Sequence, residues 1–128
     1  MLSQPAALTF CAVIALLGAF QLALAAGAPW GRLAWGGGHA RLPAALRIGS
    51  LVSILIYAVF AIIVLERAGL IAVLPSPDIA RMGIWVIAGY LALGIVMNAI
   101  SRSPPERFVM TPVAIALCGA SGIVALGA

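Results

Sequence analysis

Lysine is missing from this chain, histidine occurs once, and acidic residues number three. These shortages exclude several chemistries. A lone histidine, His39, leaves no multi-histidine metal site and no bis-histidine haem within one chain. Glu66, Asp78 and Glu106 form no acidic cluster of the kind that holds magnesium. Cys11 and Cys118 sit singly in apolar runs, without the paired spacing of a redox or zinc motif. They read as small apolar packing residues.

Charge of either sign is scarce. All seven basic residues are arginine, and the charged positions gather at 32–47, 66–81 and 102–107. Four uncharged runs remain, at 1–31, 48–65, 82–101 and 108–128. A bilayer core of about 30 Å needs roughly 20 helical residues, so each run suffices for one crossing. Hydrophobic residues make up 65% of the sequence before its 14 glycines are counted. A soluble domain averages about 45–50% with glycine included, and a mean hydropathy of +1.23 agrees with a lipid-embedded chain. The expected fold is all-α: an integral membrane antiparallel four-helix bundle, one domain over 1–128. Its helices are placed at about 5–26, 44–67, 78–101 and 106–127. No length is left for a soluble catalytic domain.

Proline marks the helix starts. Pro5, Pro43, Pro77 and Pro104 each precede an apolar run, where a missing N–H costs nothing and φ is preset. Ser76-Pro77-Asp78 supplies a serine cap and an acidic residue at the positive end of the helix dipole. Ser103-Pro104-Pro105-Glu106 has the form of a capping box. Pro112 is expected to kink the last helix unless Thr111 caps a fresh start there. Gly69 is suited to stop the second helix. The first helix ends in Ala23-Leu24-Ala25-Ala26, which resembles a signal cleavage site. No arginine precedes it and the run is longer than a signal core, so a retained helix is expected.

Arginine counts set the expected orientation. The first and third loops carry Arg32, Arg41, Arg47, Arg102 and Arg107; the second carries only Arg67 and Arg81. The positive-inside rule puts loops 1 and 3 in the cytoplasm and both termini outside. Cys11 then lies near an outer helix end and Cys118 near mid-membrane, which disfavours a disulfide. Asp78 and His39 fall on opposite sides, leaving no serine–histidine–acid set. No catalytic residue, metal ligand or cofactor site is read, and the chain is not expected to be an enzyme.

The residues left to carry function are polar or interfacial. Loop 1, from Gly27 to Leu42, holds Arg32, Trp35, His39 and Arg41 with glycines at 36–38, and is expected to lie along the membrane surface. With Arg102 and Arg107 it offers a site for a lipid headgroup or another ligand. The competing reading is a capped turn plus orientation charge. Gln21, Ser50, Ser53 and Asn98 share the cytoplasmic half and either line a polar vestibule or pair helices. Tyr57 and Tyr90, near mid-membrane, need acceptors and can serve each other, a ligand or the core. Glu66, beside Arg67 and near Arg81, is expected in an outer interfacial ion pair. Small-residue stripes at Ala15/Ala19/Ala23, Gly49/Ser53, Ala88/Ala92 and Ala116/Ala120 suit close helix packing.

The stretches from Gly27-Ala-Pro-Trp-Gly-Arg-Leu-Ala-Trp-Gly-Gly and from Asn98-Ala-Ile-Ser-Arg-Ser-Pro-Pro-Glu-Arg107 resemble a pattern in a family of small, uncharacterised four-helix bacterial membrane proteins. That resemblance implies the bundle and no activity. In size the chain is also similar to small multidrug resistance transporters and to dual-topology fluoride channels. The former carry a membrane-embedded glutamate in helix 1, which this chain lacks; the latter have balanced orientation charge. The expected role is a non-enzymatic membrane protein, an accessory or lipid-contacting component of a bacterial inner membrane. The alternative is a small oligomeric channel or transporter. Expected partners are membrane lipids, with a larger membrane complex or a homo-oligomer possible by the same reasoning. Seven arginines over three loops make no continuous basic face, so nucleic acid is not expected.

Overall fold

In the computed structural model, which describes residues 1–127, the chain is helical with no strand among them. Helix α1 spans Ser3–Ala25, α2 Ala44–Arg67, α3 Pro77–Ala99 and α4 Pro104–Ala125. Each is long and apolar enough to cross a bilayer. At 1.5 Å per residue they run to about 35 Å. The protein is a multi-pass membrane four-helix bundle. α1 lies against α2 and α4, α4 lies against α3, and α2 and α3 touch least of the neighbouring pairs.

Local chemistry sets the helix ends. Pro43 caps α2 with extended backbone, and Pro77 opens α3 behind Ser76, whose Oγ accepts from Asp78 N–H at 3.2 Å. Gly69, at φ +82°, turns the chain out of α2. Its N–H donates to Glu66 O, and Leu70 N–H donates to Leu65 O. α4 continues unbroken through Pro112. The alternative, a fresh start capped by Thr111, does not form, and the buried Thr111 Oγ1 has no partner.

Two local expectations are overturned. Among the described residues Glu66 forms no ion pair; its Oε1 accepts from Val73 N–H at 2.5 Å and Leu74 N–H at 2.8 Å. After the sharp turn at Gly69 those amides need an acceptor, and the carboxylate is nearer to them than to any guanidinium. The salt bridge on this side joins Asp78 to Arg81 at 3.0 Å, between two exposed side chains. The stripe Ala15/Ala19/Ala23 is not an interhelical seam, because Ala15 and Ala19 are exposed. The buried side of α1 is Ala6, Ala7, Phe10, Ile14, Gln21 and Leu24.

The apolar core sits in the half of the bundle nearest the termini. Ala7, Phe10, Val64, Ile84 and Val124 are fully buried there. Leu16, Leu55, Val86 and Phe108 face outward, as suits helices whose solvent is lipid. Toward loops 1 and 3, α2 and α3 part.

Candidate functional site

The gap opens between α2 and α3. Ile63 meets Gly83, and the Phe60 and Tyr90 rings meet edge to face with centroids 5.6 Å apart. Beyond these contacts α2 and α3 separate, and a cleft of about 700 Å³ runs up to loops 1 and 3. Its floor is apolar and includes Ile14, Leu91 and Leu117. Its upper wall and mouth include Gln21, Ser53, Asn98, Ser101, Arg102 and Glu106. That volume falls within the range of about 300–1,000 Å³ usual for small-molecule pockets.

Loop 1 shapes the mouth. It folds as two short 3₁₀ turns, Gly31–Leu33 and Trp35–Gly37. The Trp35 indole N–H donates to the buried Ser50 Oγ at 3.3 Å, and its ring lies where a Gly49 side chain would have been. Gly31 N–H donates to Ala40 O at 2.7 Å, closing the loop on itself. Ser103 Oγ donates to Arg32 O at 2.5 Å, and Gly36 N–H donates to Glu106 Oε2 at 3.2 Å.

Those last two bonds replace the expected capping box. Ser103 is the N-cap residue of α4, yet its side chain makes no cap bond. Pro104 and Pro105 provide no N–H for a serine to satisfy at the first two helical positions. Both side chains of the S-x-x-E pattern reach across to loop 1 instead and fasten it over the start of α4. Glu106 thereby becomes buried, with 6% of its surface exposed.

The sequence-derived site residues separate into two groups. Gln21, Ser53, Tyr57, Tyr90 and Asn98 all line the cleft, as do Trp35 and Arg102. The two tyrosines do not bond each other: Tyr57 OH accepts from Gln21 Nε2 at 3.2 Å, and Tyr90 packs on Phe60. Ser53 Oγ and one Asn98 N–H donate within their own helices, to Gly49 O and Gly94 O. Gln21 to Tyr57 is thus the one interhelical side-chain bond in this group, and Gln21 Oε1 stays buried without a partner.

Arg32, His39, Arg41 and Arg107 do not line the cleft. Arg41 Nε donates to Gly27 O, and Arg47 Nε to Leu42 O. Arg107 Nη1 donates to Ser101 O at 3.1 Å, and its guanidinium carbon stands 5.0 Å from the centre of the Phe108 ring. These three arginines tie down backbone carbonyls where the chain turns between helices. Glu106 is the cleft residue that sequence reasoning passed over. Its only local signal, S-x-x-E before an apolar run, was already accounted for by a cap.

No protein-family model, no curated protein and no solved structure matches the chain.

Proposed function

We propose that this is a non-enzymatic, lipid-contacting accessory protein of a bacterial inner membrane, with the cleft between α2 and α3 accommodating the chain of a lipid or similar amphiphile. One observation carries the reading: a cavity of about 700 Å³ grades from an apolar floor at Ile14 and Leu117 to a polar mouth at Asn98 and Arg102. This is the polarity order of a lipid seated with its head at the loop end. Arg102 is exposed and makes no hydrogen bond or ion pair among the described residues, so its guanidinium is available to a phosphate. The floor leads into the buried core around Phe10, Ile84 and Ile87. That blind end favours holding over conduction, and a pore would call for a second copy.

Gly94 gives a direct test. It lines the cleft, and a side chain there meets nothing within 4 Å. Gly94→Leu should leave the bundle folded, since leucine is the better helix former by about 0.5–1 kcal/mol. Lipid retained through purification and counted by native mass spectrometry should fall about tenfold, equivalent to about 1.4 kcal/mol. Equal retention by the variant and the parent would refute the cleft reading. Flux above that of empty vesicles in proteoliposomes would favour a channel or transporter instead.

The proposed orientation has loops 1 and 3 in the cytoplasm and both termini outside, on the excess of arginine in those loops. With Cys11 and Cys118 replaced by alanine, His39→Cys should resist an impermeant thiol reagent in intact cells. Pro75→Cys should react with it. The opposite pattern would invert the topology.

A further inference from the structure

We infer that the mouth of the cleft selects a head bearing a primary ammonium beside an anionic phosphate, as in a phosphoethanolamine lipid; this rests on the cleft reading above. The starting point is Glu106. A buried carboxylate without a cation is costly, and an ionised one has about four acceptor sites to fill. Gly36 N–H fills one. Among the described residues no cation completes the set. Arg107 is engaged with Ser101 O and the Phe108 ring, and Arg102 lines the same mouth without forming an ion pair to Glu106.

One further side chain points to the same kind of ligand. Gln21, 8% exposed, gives one N–H to Tyr57 and keeps a buried Oε1 that no donor reaches. The groups left wanting a donor are therefore a buried amide oxygen on α1 and, on α4, a carboxylate with no cation among the described residues. A primary ammonium meets that demand with three N–H donors and a positive charge. A trimethylammonium has the charge and no N–H. Arg102 at the rim answers the phosphate of the same head by charge-assisted hydrogen bonds. The head would lie across the mouth, its ammonium at Glu106 and its phosphate at Arg102, with its chain on the apolar floor.

The test uses the full chain in detergent, offered phosphatidylethanolamine, phosphatidylcholine and phosphatidylglycerol with identical acyl chains, with retained lipid counted by native mass spectrometry. The parent protein should retain the ethanolamine lipid about tenfold over either competitor, about 1.4 kcal/mol. Glu106→Gln keeps an oxygen for Gly36 N–H and removes the charge together with one acceptor oxygen. It should bring ethanolamine and choline lipids to near parity. Arg102→Gln should lower retention of all three alike, about threefold, and preserve the ethanolamine preference. Equal retention of the three lipids by the parent would overturn the head selectivity while the cleft reading stands. Retention of none would overturn both. An unchanged preference in Glu106→Gln would remove Glu106 from the site, and unchanged retention in Arg102→Gln would remove the phosphate contact.

Discussion

Gly37→Ala is expected to destabilise the folded protein by about 2–4 kcal/mol, while the same change at either neighbouring glycine does far less. The three glycines at 36–38 look alike in the sequence. The fold gives each a different burden. At Gly37 φ is +73°, and an added Cβ would lie 2.2 Å from Ser103 Cβ and 2.4 Å from its Oγ. Ser103 has little freedom to yield, because its hydroxyl holds Arg32 O and its backbone leads directly into Pro104. The substitution adds left-handed backbone strain to a steric overlap. At Gly36 φ is +77° but the space is open, so alanine there should cost about 1 kcal/mol from backbone strain alone. At Gly38 φ is −71° and nothing lies nearby, so alanine should shift stability by no more than about 0.5 kcal/mol. Equilibrium unfolding of the three variants in mixed micelles should rank them 37, 36, 38 in decreasing damage. Equal values would mean that loop 1 does not dock on Ser103. Because Gly36 N–H also holds Glu106, displacement of the loop in Gly37→Ala should reduce lipid retention as well.

That ranking shows where sequence reasoning reaches its limit in a membrane chain. The bundle is legible because its signals are one-dimensional. Four uncharged runs, arginine-bearing breaks, a proline near each helix start and a serine before Pro77 all act over a few residues, and lipid compels helices wherever backbone crosses it. Which side of each helix turns inward is another matter. In water, the polar face would mark the outside. Here the outside is hydrocarbon too, so Leu16 facing lipid and Ile14 facing the bundle are chemically alike. Small residues were the remaining guide, and they failed at Ala15 and Ala19, which face away from the other helices of the bundle. The cleft was partly legible, since Gln21, Ser53 and Asn98 are rare polar residues at comparable depth. Glu106 was not. Its partner, Gly36, is 70 residues away in the chain, and no local pattern announces that a carboxylate in the first turn of α4 will be folded beneath another loop.

Phe10→Ala should be the most damaging single truncation, costing about 2–4 kcal/mol, and Phe20→Ala should cost about 1 kcal/mol or less. Both residues belong to α1, and both read as ordinary apolar positions. Phe10 is fully buried among Val64, Ile84, Ile87 and Val124 in the closed half. Phe20 is partly exposed on the wall of the cleft. In lipid the usual transfer gain is small, because hydrocarbon already surrounds the separated helices. What Phe10 contributes is close packing, and its loss leaves a void whose lining atoms forfeit their dispersion partners. Truncating Phe20 removes atoms that face open space on one side, so few contacts are lost and the cleft is widened. The contrast follows from a division of labour along the bundle. The half near the termini is packed on all sides and holds the helices together, which lets the half near loops 1 and 3 stay parted. Phe20→Ala should then remain folded and admit bulkier lipid chains, read as a shift in the mass distribution of co-purified lipid. Comparable destabilisation by both truncations would mean that the two halves are equally packed, and with that the cleft itself would have to be abandoned.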